Sequence, residues 1–378
     1  MSGKPYILFC AGEDSGDSIG ESLVRAVVAK GSFAALGAGG ARMQTAGLQA
    51  IVDYEILPVS GFGDVLPRYF KLRRSFSELK KALESTDCMG LVAVDYPGFN
   101  MKLVRLAGSL RKPCLYVAPP QVWAWKSQRA RELAQNSFVK LAVFFDFEEN
   151  AYRSAGCDVV RVQHPFLSSR PVDVLHKSSL LLLPGSRKSQ ALRNLPLYLK
   201  MVQVLQKSQA LSRLEVVLLA ARQELVPVFE KALRQFNDET LLKNVQVKVT
   251  PVDAEERCSL YHGAAIALSA PGTATLELSL SGCPTVVCTK PDFLTYCLGS
   301  LFVKTKYFAL PNIILDKPVY PELMVSPGQS QQAVVRCAQE MVELLSSKQN
   351  LDSSLLHAKL SVGKTLESLM AEFLRQFI

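Results

Sequence analysis

Apolar residues in this chain come in short continuous runs, separated by longer stretches in which apolar positions recur every three or four residues. The runs at 6–11, 91–95, 115–118, 141–145 and 159–162 read as strands of one series. Those at 180–183, 216–220, 245–249, 265–269 and 285–288 read as a second. A strand that stays apolar without polar alternation is covered on both faces, and strands that alternate with amphipathic helices build parallel sheets flanked by helices. The pattern therefore predicts an α/β chain of two Rossmann-like parallel-sheet domains. Proline, serine and charged residues interrupt it near 165–177, which divides the chain into domains at 1–168 and 169–345. Strands cease after about residue 326. The tail at 346–378 carries Leu355, Leu356, Leu360, Leu366, Leu369, Met370, Phe373 and Leu374 at helical spacing, so it is expected to pack back on the N-terminal domain or on a partner subunit.

Composition narrows the classes. A length of 378 residues suits two cores better than one, and 48% hydrophobic with 20% charged residues is ordinary globular usage. The balance of 43 basic against 34 acidic residues, +9 overall, suggests an anionic partner: a phosphate ligand, an acidic membrane surface or nucleic acid. The bases are dispersed and no recognition module is visible, which argues against nucleic acid. Nine cysteines scattered without a close pair point to reduced thiols in a cytosolic setting. His164, His176, His262 and His357 have no metal-ligand spacing, so no metal is expected. The first apolar run is too short for a signal-peptide core, and no apolar stretch reaches the length of a membrane span.

In open parallel sheets, ligands gather beyond the carboxyl ends of the strands. The loop after the first strand, Ala11-Gly12-Glu13-Asp14-Ser15-Gly16-Asp17, has glycines for a tight turn and carboxylates that would repel a pyrophosphate. It suits a sugar hydroxyl or a proton acceptor, or else a helix-capping turn with solvated acids. Asp95, opening the loop Asp95-Tyr96-Pro97-Gly98-Phe99-Asn100, could orient or deprotonate an acceptor hydroxyl, although the same residues favour turns for backbone reasons. Trp123 and Trp125 lie beside Lys126, Arg129 and Arg131, as a structural aromatic pair or a phosphate and sugar contact. In the second series, Pro184-Gly185-Ser186-Arg187 and Pro271-Gly272-Thr273-Ala274-Thr275-Leu276-Glu277 each leave a strand end. Their amides and Arg187 fit a diphosphate at a helix N-terminus, with Glu277 one turn in, near a ribose; simple caps are the alternative. Finally, Phe62, Val65, Leu66, Tyr69 and Phe70 mix with Arg68, Lys71, Arg73 and Arg74, as on an interfacial helix at an anionic bilayer or an ordinary amphipathic helix.

Taken in order, these pieces resemble the signature of the lipid-A-disaccharide synthase family. They are Ala11-Gly12-Glu13 with Ser15-Gly16-Asp17, Asp95-x-Pro97-x-Phe99-Asn100, Val122-Trp123-Ala124-Trp125, Leu182 through Arg187, Gly272-Thr273-Ala274-x-Leu276-Glu277, Val303-Lys304-Thr305 and Leu310-Pro311-Asn312. The resemblance implies a GT-B glycosyltransferase that joins UDP-2,3-diacylglucosamine to 2,3-diacylglucosamine 1-phosphate, giving the β-1,6 lipid A disaccharide 1-phosphate and UDP without a cofactor or metal. Arg187, Ser186, Gly272, Thr273 and Glu277 would hold the UDP, while Glu13, Asp95 and Asn312 would lie in or near the reaction cleft. Asp95 is assigned as the base, with Glu13 the second candidate. Acylated substrates imply a cytoplasmic enzyme peripherally bound to the inner membrane of a Gram-negative-type bacterium, through the segment 59–74, and the family's habit of exchanging its tail implies a homodimer. Three positions depart from the family pattern: Gln190 in place of a glutamate, Gln163-His164-Pro165 in the hinge, and Pro271 before Gly272. The alternatives are another UDP-sugar enzyme of this architecture, an epimerase or a peptidoglycan-type transferase, or a non-catalytic UDP-sugar-binding relative.

Overall fold

The apolar runs form the inner strands of two all-parallel sheets in the computed structural model, which describes residues 4–57, 62–122, 128–168, 177–207, 214–236, 245–251, 253–291, 306–326, 328–347 and 353–378, with the helical backbone alone at 62–69. The chain divides into two units, one of residues 1–165 with 360–378 and one of 166–359.

In the first unit the order along the chain is β1 (Tyr6–Ala11), α1 (Asp14–Lys30), β2 (Ala34–Ala38), α2 (Ala41–Thr45), β3 (Gln49–Ala50), α3 (Phe62–Glu84), β4 (Cys88–Val94), α4 (Pro97–Ser109), β5 (Cys114–Val117), α5 (Gln128–Ala134), β6 (Val139–Val143), α6 (Asp146–Ser154) and β7 (Val159–Arg161). The sheet order is β3-β2-β1-β4-β5-β6-β7, so the winding reverses between β1 and β4. Ile7 through Ala11 and Leu91 through Val94 are fully buried. Covering such strands on both faces contributes about 1.5–3 kcal/mol per large side chain, an upper figure for folding.

The second unit runs β8 (Ser179–Leu183), α7 (Lys188–Lys207), β9 (Glu215–Ala220), α8 (Val226–Arg234), β10 (Val245–Val249), α9 (Ala254–His262), β11 (Ala264–Ser269), α10 (Thr273–Leu280), β12 (Thr285–Thr289), α11 (Leu310–Leu315), β13 (Glu322–Met324) and α12 (Ser330–Ser347), with α13 (Ser354–Leu360) at its border. Its sheet order is β10-β9-β8-β11-β12-β13, reversing between β8 and β11. Buried Leu180, Leu182, Val216 and Leu218 meet the Tyr198 and Met201 side of α7 across one face.

The tail ends in α14 (Leu366–Arg375), which lies on α1 of the first unit. Thr365 caps it by accepting from the Ser368 amide at 3.1 Å. Its buried stripe is Leu366, Leu369, Met370, Phe373 and Leu374. The chain reaches this position through Gly363, where φ is +101° and an added Cβ would stand 2.3 Å from the Arg161 carbonyl oxygen. Only a glycine passes that close. Among the described residues, no helix is long and apolar enough to cross a membrane.

Three strands carry no apolar-run signal. β2 is Ala-Ala-Leu-Gly-Ala and owes its extension to the open edge of β1, which it follows from Tyr6↔Ala34 to Cys10↔Ala38. β3 and β13 are short edge strands completed by a single neighbour each.

Candidate active site

At the carboxyl edge of the first sheet, the last residues of β1 and β4 are register partners, Ala11 beside Val94. The winding of the sheet reverses there, and in open parallel sheets such a point is where ligand binds, in a crevice beyond the strand ends. Glu13 takes the N-cap position of α1 in an extended conformation; its carbonyl accepts from the Asp17 amide at 2.9 Å, and its half-buried side chain does not cap the helix. Asp17 does not cap α1 either, nor is it solvated. It is buried and accepts from the backbone amides of Arg42 and Met43, each at 3.1 Å, tying α1 to the start of α2. Burial pushes its carboxyl pKa up, and those two amides oppose the shift.

Asp95 follows β4 directly and is half-buried. It and Tyr96 both have φ of +50°, and Ala118, at the end of neighbouring β5, has +51°. Left-handed conformations at non-glycine residues are strained, and here they cluster at adjacent strand ends. The surroundings over-determine the geometry. The Asp95 carbonyl accepts from Asn100 Nδ2 at 2.8 Å and from the Tyr116 hydroxyl at 3.1 Å. The Tyr96 hydroxyl donates to the Leu57 carbonyl at 2.6 Å, and its ring stacks on Phe99 at 5.5 Å, which in turn meets Phe76 of α3. Burial raises the pKa of both tyrosines, which keeps their hydroxyls protonated as donors. Across the crevice Ser15 Oγ donates to Asp95 Oδ2 at 3.0 Å. The structure thus joins the two acidic loops through a side-chain hydrogen bond spanning 80 positions of sequence.

The second sheet repeats the device. Leu183 of β8 and Ser269 of β11 are register partners at its reversal, and the Ala270 amide donates to the Leu183 carbonyl at 2.8 Å. Ser186 and Arg187 in the first loop, and Gly272 and Thr273 in the second, are exposed. Gly272 has φ 155° and ψ −170°, a combination open essentially to glycine, and it places the α10 amides at the loop surface. Asn194 braces the first loop, donating to the Pro184 carbonyl at 2.9 Å and accepting from the Lys290 amide at 2.8 Å. Gln190 packs over Gly185, where a Cβ would stand 2.5 Å from its Oε1, so this departure from the family pattern shapes the loop itself.

Two predicted ligand contacts have other partners. Glu277 is engaged by buried Arg257, whose Nε and Nη2 both lie 2.8 Å from Oε1, while Arg257 Nη1 reaches the Pro251 carbonyl at 3.0 Å. Asn312, expected beside substrate, is instead wholly buried. Its Nδ2 donates to the Tyr320 carbonyl at 2.8 Å, and its Oδ1 accepts from the Tyr320 amide at 2.9 Å. With both ends of the amide committed to the backbone, it braces α11 rather than facing solvent. Beside it Glu322 accepts from the Ala309 amide at 2.7 Å.

On α3, Phe70 is 78% exposed, and Lys71, Arg73 and Arg74 are exposed with it. The side chains of Phe62, Val65, Leu66, Arg68 and Tyr69 lie outside the described residues, as do Trp123, Trp125, Lys126 and the 303–305 motif. Sequence reasoning missed Tyr116, hidden inside an apolar run, and Arg257, one charged residue among several on α9. Among the described residues, no group of three or more His, Cys, Asp or Glu is placed to hold a metal ion.

A family model described as lipid-A-disaccharide synthetase matches residues 7–376. The lipid-A-disaccharide synthase of Syntrophus aciditrophicus is 31% identical over 94% of this chain and 93% of its own. Two solved structures share the fold: the glycotransferase of kitacinnamycin, with TM-score 0.55 and 14% identity over 99% of each chain, and the UDP-GlcNAc 2-epimerase of Methanocaldococcus jannaschii, with TM-score 0.53 and 12% identity over 98% of this chain and 99% of that one. Both sheets are of the kind found in GT-B glycosyltransferases.

Proposed function

The chain belongs to the lipid-A-disaccharide synthase family, and from that premise we propose how its residues carry out the glycosyl transfer of lipid A biosynthesis. The donor is UDP-2,3-diacylglucosamine and the acceptor 2,3-diacylglucosamine 1-phosphate. The acceptor 6-hydroxyl oxygen attacks the anomeric carbon, a new C–O bond forms with inversion, and the bond to the diphosphate breaks with its electron pair leaving on UDP. Asp95 takes the hydroxyl proton, and Glu13 orients the acceptor from the facing loop. The observation that carries this reading is the Ser15–Asp95 hydrogen bond, which holds a carboxylate at the reversal point of the first sheet with one oxygen fixed by a donor.

In the second unit the diphosphate meets Arg187, Ser186 and the α10 amides at Gly272 and Thr273, which offset the charge that develops as UDP departs. Glu277, oriented by Arg257, reaches for the ribose, and Asn312 acts through α11, which it braces against the Tyr320 backbone. The exposed Phe70 with Lys71, Arg73 and Arg74 supports peripheral attachment of α3 to the anionic cytoplasmic face of an inner membrane, where both acylated substrates reside. A homodimer that exchanges α14 would bury the same apolar stripe that α1 covers within one chain.

The test is a product assay with both acylated substrates. UDP release coupled to a new disaccharide 1-phosphate, lost in Asp95→Asn, supports the reading; normal turnover of Asp95→Asn with a dead Glu13→Gln exchanges the two roles. Turnover of unacylated UDP-N-acetylglucosamine in place of the acylated donor would reject the substrate class.

A further inference from the structure

We propose that Asn100 is the positioning residue of Asp95, holding the base in its left-handed conformation from beneath the crevice. This rests on the reading of Asp95 as the base. Asn100 lies in the first turn of α4, its amide nitrogen bonded to Tyr96 O at 3.0 Å, and it is fully buried. Its side-chain Nδ2 has three carbonyl oxygens in reach: Cys10 of β1 at 3.0 Å, Val94 of β4 at 3.1 Å and Asp95 itself at 2.8 Å. These carbonyls lie at the carboxyl ends of two adjacent strands and just beyond the second of them. One NH2 group therefore joins the ends of β1 and β4 at the sheet's reversal, and grips the backbone of the residue between them and α4.

The other end of the same side chain points to a role beyond packing. Oδ1 is buried without a hydrogen-bond partner. Native interiors rarely leave such an acceptor unpaired, and an exception calls for a reason such as stored strain or a catalytic role. The residue type follows from the three acceptors. An aspartate would set a carboxylate against three carbonyl oxygens, and a leucine of similar size would supply no donor. Tyr116 grips the same Asp95 carbonyl from β5 at 3.1 Å, so the base is held from two sides while Ser15 fixes its carboxylate.

The experiment measures kcat, KM for each substrate and melting temperature for Asn100→Ala and Tyr116→Phe, alone and combined with Asp95→Asn. A base displaced by about an ångström loses on the order of a hundredfold in rate. Asn100→Ala is expected to lower kcat by about that factor with both KM values within about twofold, and Tyr116→Phe, which leaves Asn100 in place, by about fivefold. Because both residues act through Asp95, neither is expected to lower the residual rate of Asp95→Asn further. A fall in melting temperature with kcat unchanged overturns the inference, as does a loss that multiplies with that of Asp95→Asn. If Asn100→Ala does not fold, Tyr116→Phe decides by the same two criteria. An active Asp95→Asn overturns the base assignment and the inference together. A dead Asp95→Asn with an unaffected kcat in both other variants overturns the inference alone.

Discussion

Gly12→Ala tests whether the two acidic loops depend on one another. Gly12 faces the ring of Tyr96, and a methyl added there would stand 2.2 Å from Cδ1 and 2.5 Å from Cε1 and Cγ. Carbon atoms rest about 3.5–4.0 Å apart, so ring or loop must shift by more than about 1 Å. The ring has little room to retreat. Tyr96 is 8% exposed, stacks on Phe99 and is anchored by its hydroxyl to the Leu57 carbonyl at 2.6 Å. Overpacking of this kind costs about 1–3 kcal/mol, and loss of the hydroxyl bond about 1 kcal/mol more. For a unit of this size each kcal/mol lowers the melting temperature by about 2–4 °C, so a fall of roughly 8 °C is expected. Tyr96 follows Asp95 directly, and a shift of about 1 Å at a reacting group costs about a hundredfold in turnover. Gly98→Ala is the internal control, because it lies in the first turn of α4 and nothing stands within 4 Å of its added Cβ. Alanine is the better helix former there by at most about 1 kcal/mol, so this variant should melt at or slightly above the wild-type temperature. Calorimetry and continuous UDP release measure both variants. If Gly12→Ala matched Gly98→Ala in melting and kcat, the coupling of the two loops through Tyr96 would be refuted.

Single contacts elsewhere in the fold can be broken one at a time. Ser15→Ala removes the donor to Asp95 Oδ2 and should lower kcat about tenfold, within the range of one charge-assisted bond, while Ser15→Thr keeps most of the rate; equal rates for all three would show that the bond is not used in turnover. Arg257→Met strands Glu277 in a pair whose side chains are 6% and 16% exposed, so urea unfolding should report a loss of roughly 3 kcal/mol and titration a weaker affinity for UDP. His164 is packed against Phe144, ring centroids 4.7 Å apart, and burial lowers its pKa from 6.5 to about 3. The unfolded chain therefore takes up a proton below pH 6.5 that the folded one refuses until about pH 3, so stability is complete above 6.5 and declines through that window. At pH 5 the loss is about 2 kcal/mol, and His164→Phe should flatten the acid slope; an unchanged slope would place the titration elsewhere.

The hydrophobic pattern determined a good deal. Continuous apolar runs such as Leu180 through Leu183 cannot face water on either side, so they forced parallel sheets covered by helices, and the strand-end rule then directed attention to Glu13, Asp95, Arg187 and Gly272. The ordered motifs determined the family. Strands such as Ala34–Ala38 were illegible because their cause is an open neighbouring edge, not their own residues. Which polar side chains belong to the site and which to the frame is settled by the folded chain alone. Asp17 belonged to a loop that read as a helix-capping turn with solvated acids and became a buried anchor for the next helix, while Asn312 read as a residue of the reaction cleft and became a backbone brace. Asn100 stood in the sequence only as the last residue of a motif and Tyr116 only inside an apolar run, and the two converge on the Asp95 carbonyl. The physical reason is common to all four. Burial is set by the apolar pattern along the chain, whereas a hydrogen bond is set by where two distant segments place a donor and an acceptor, and that placement exists only once the sheet has formed.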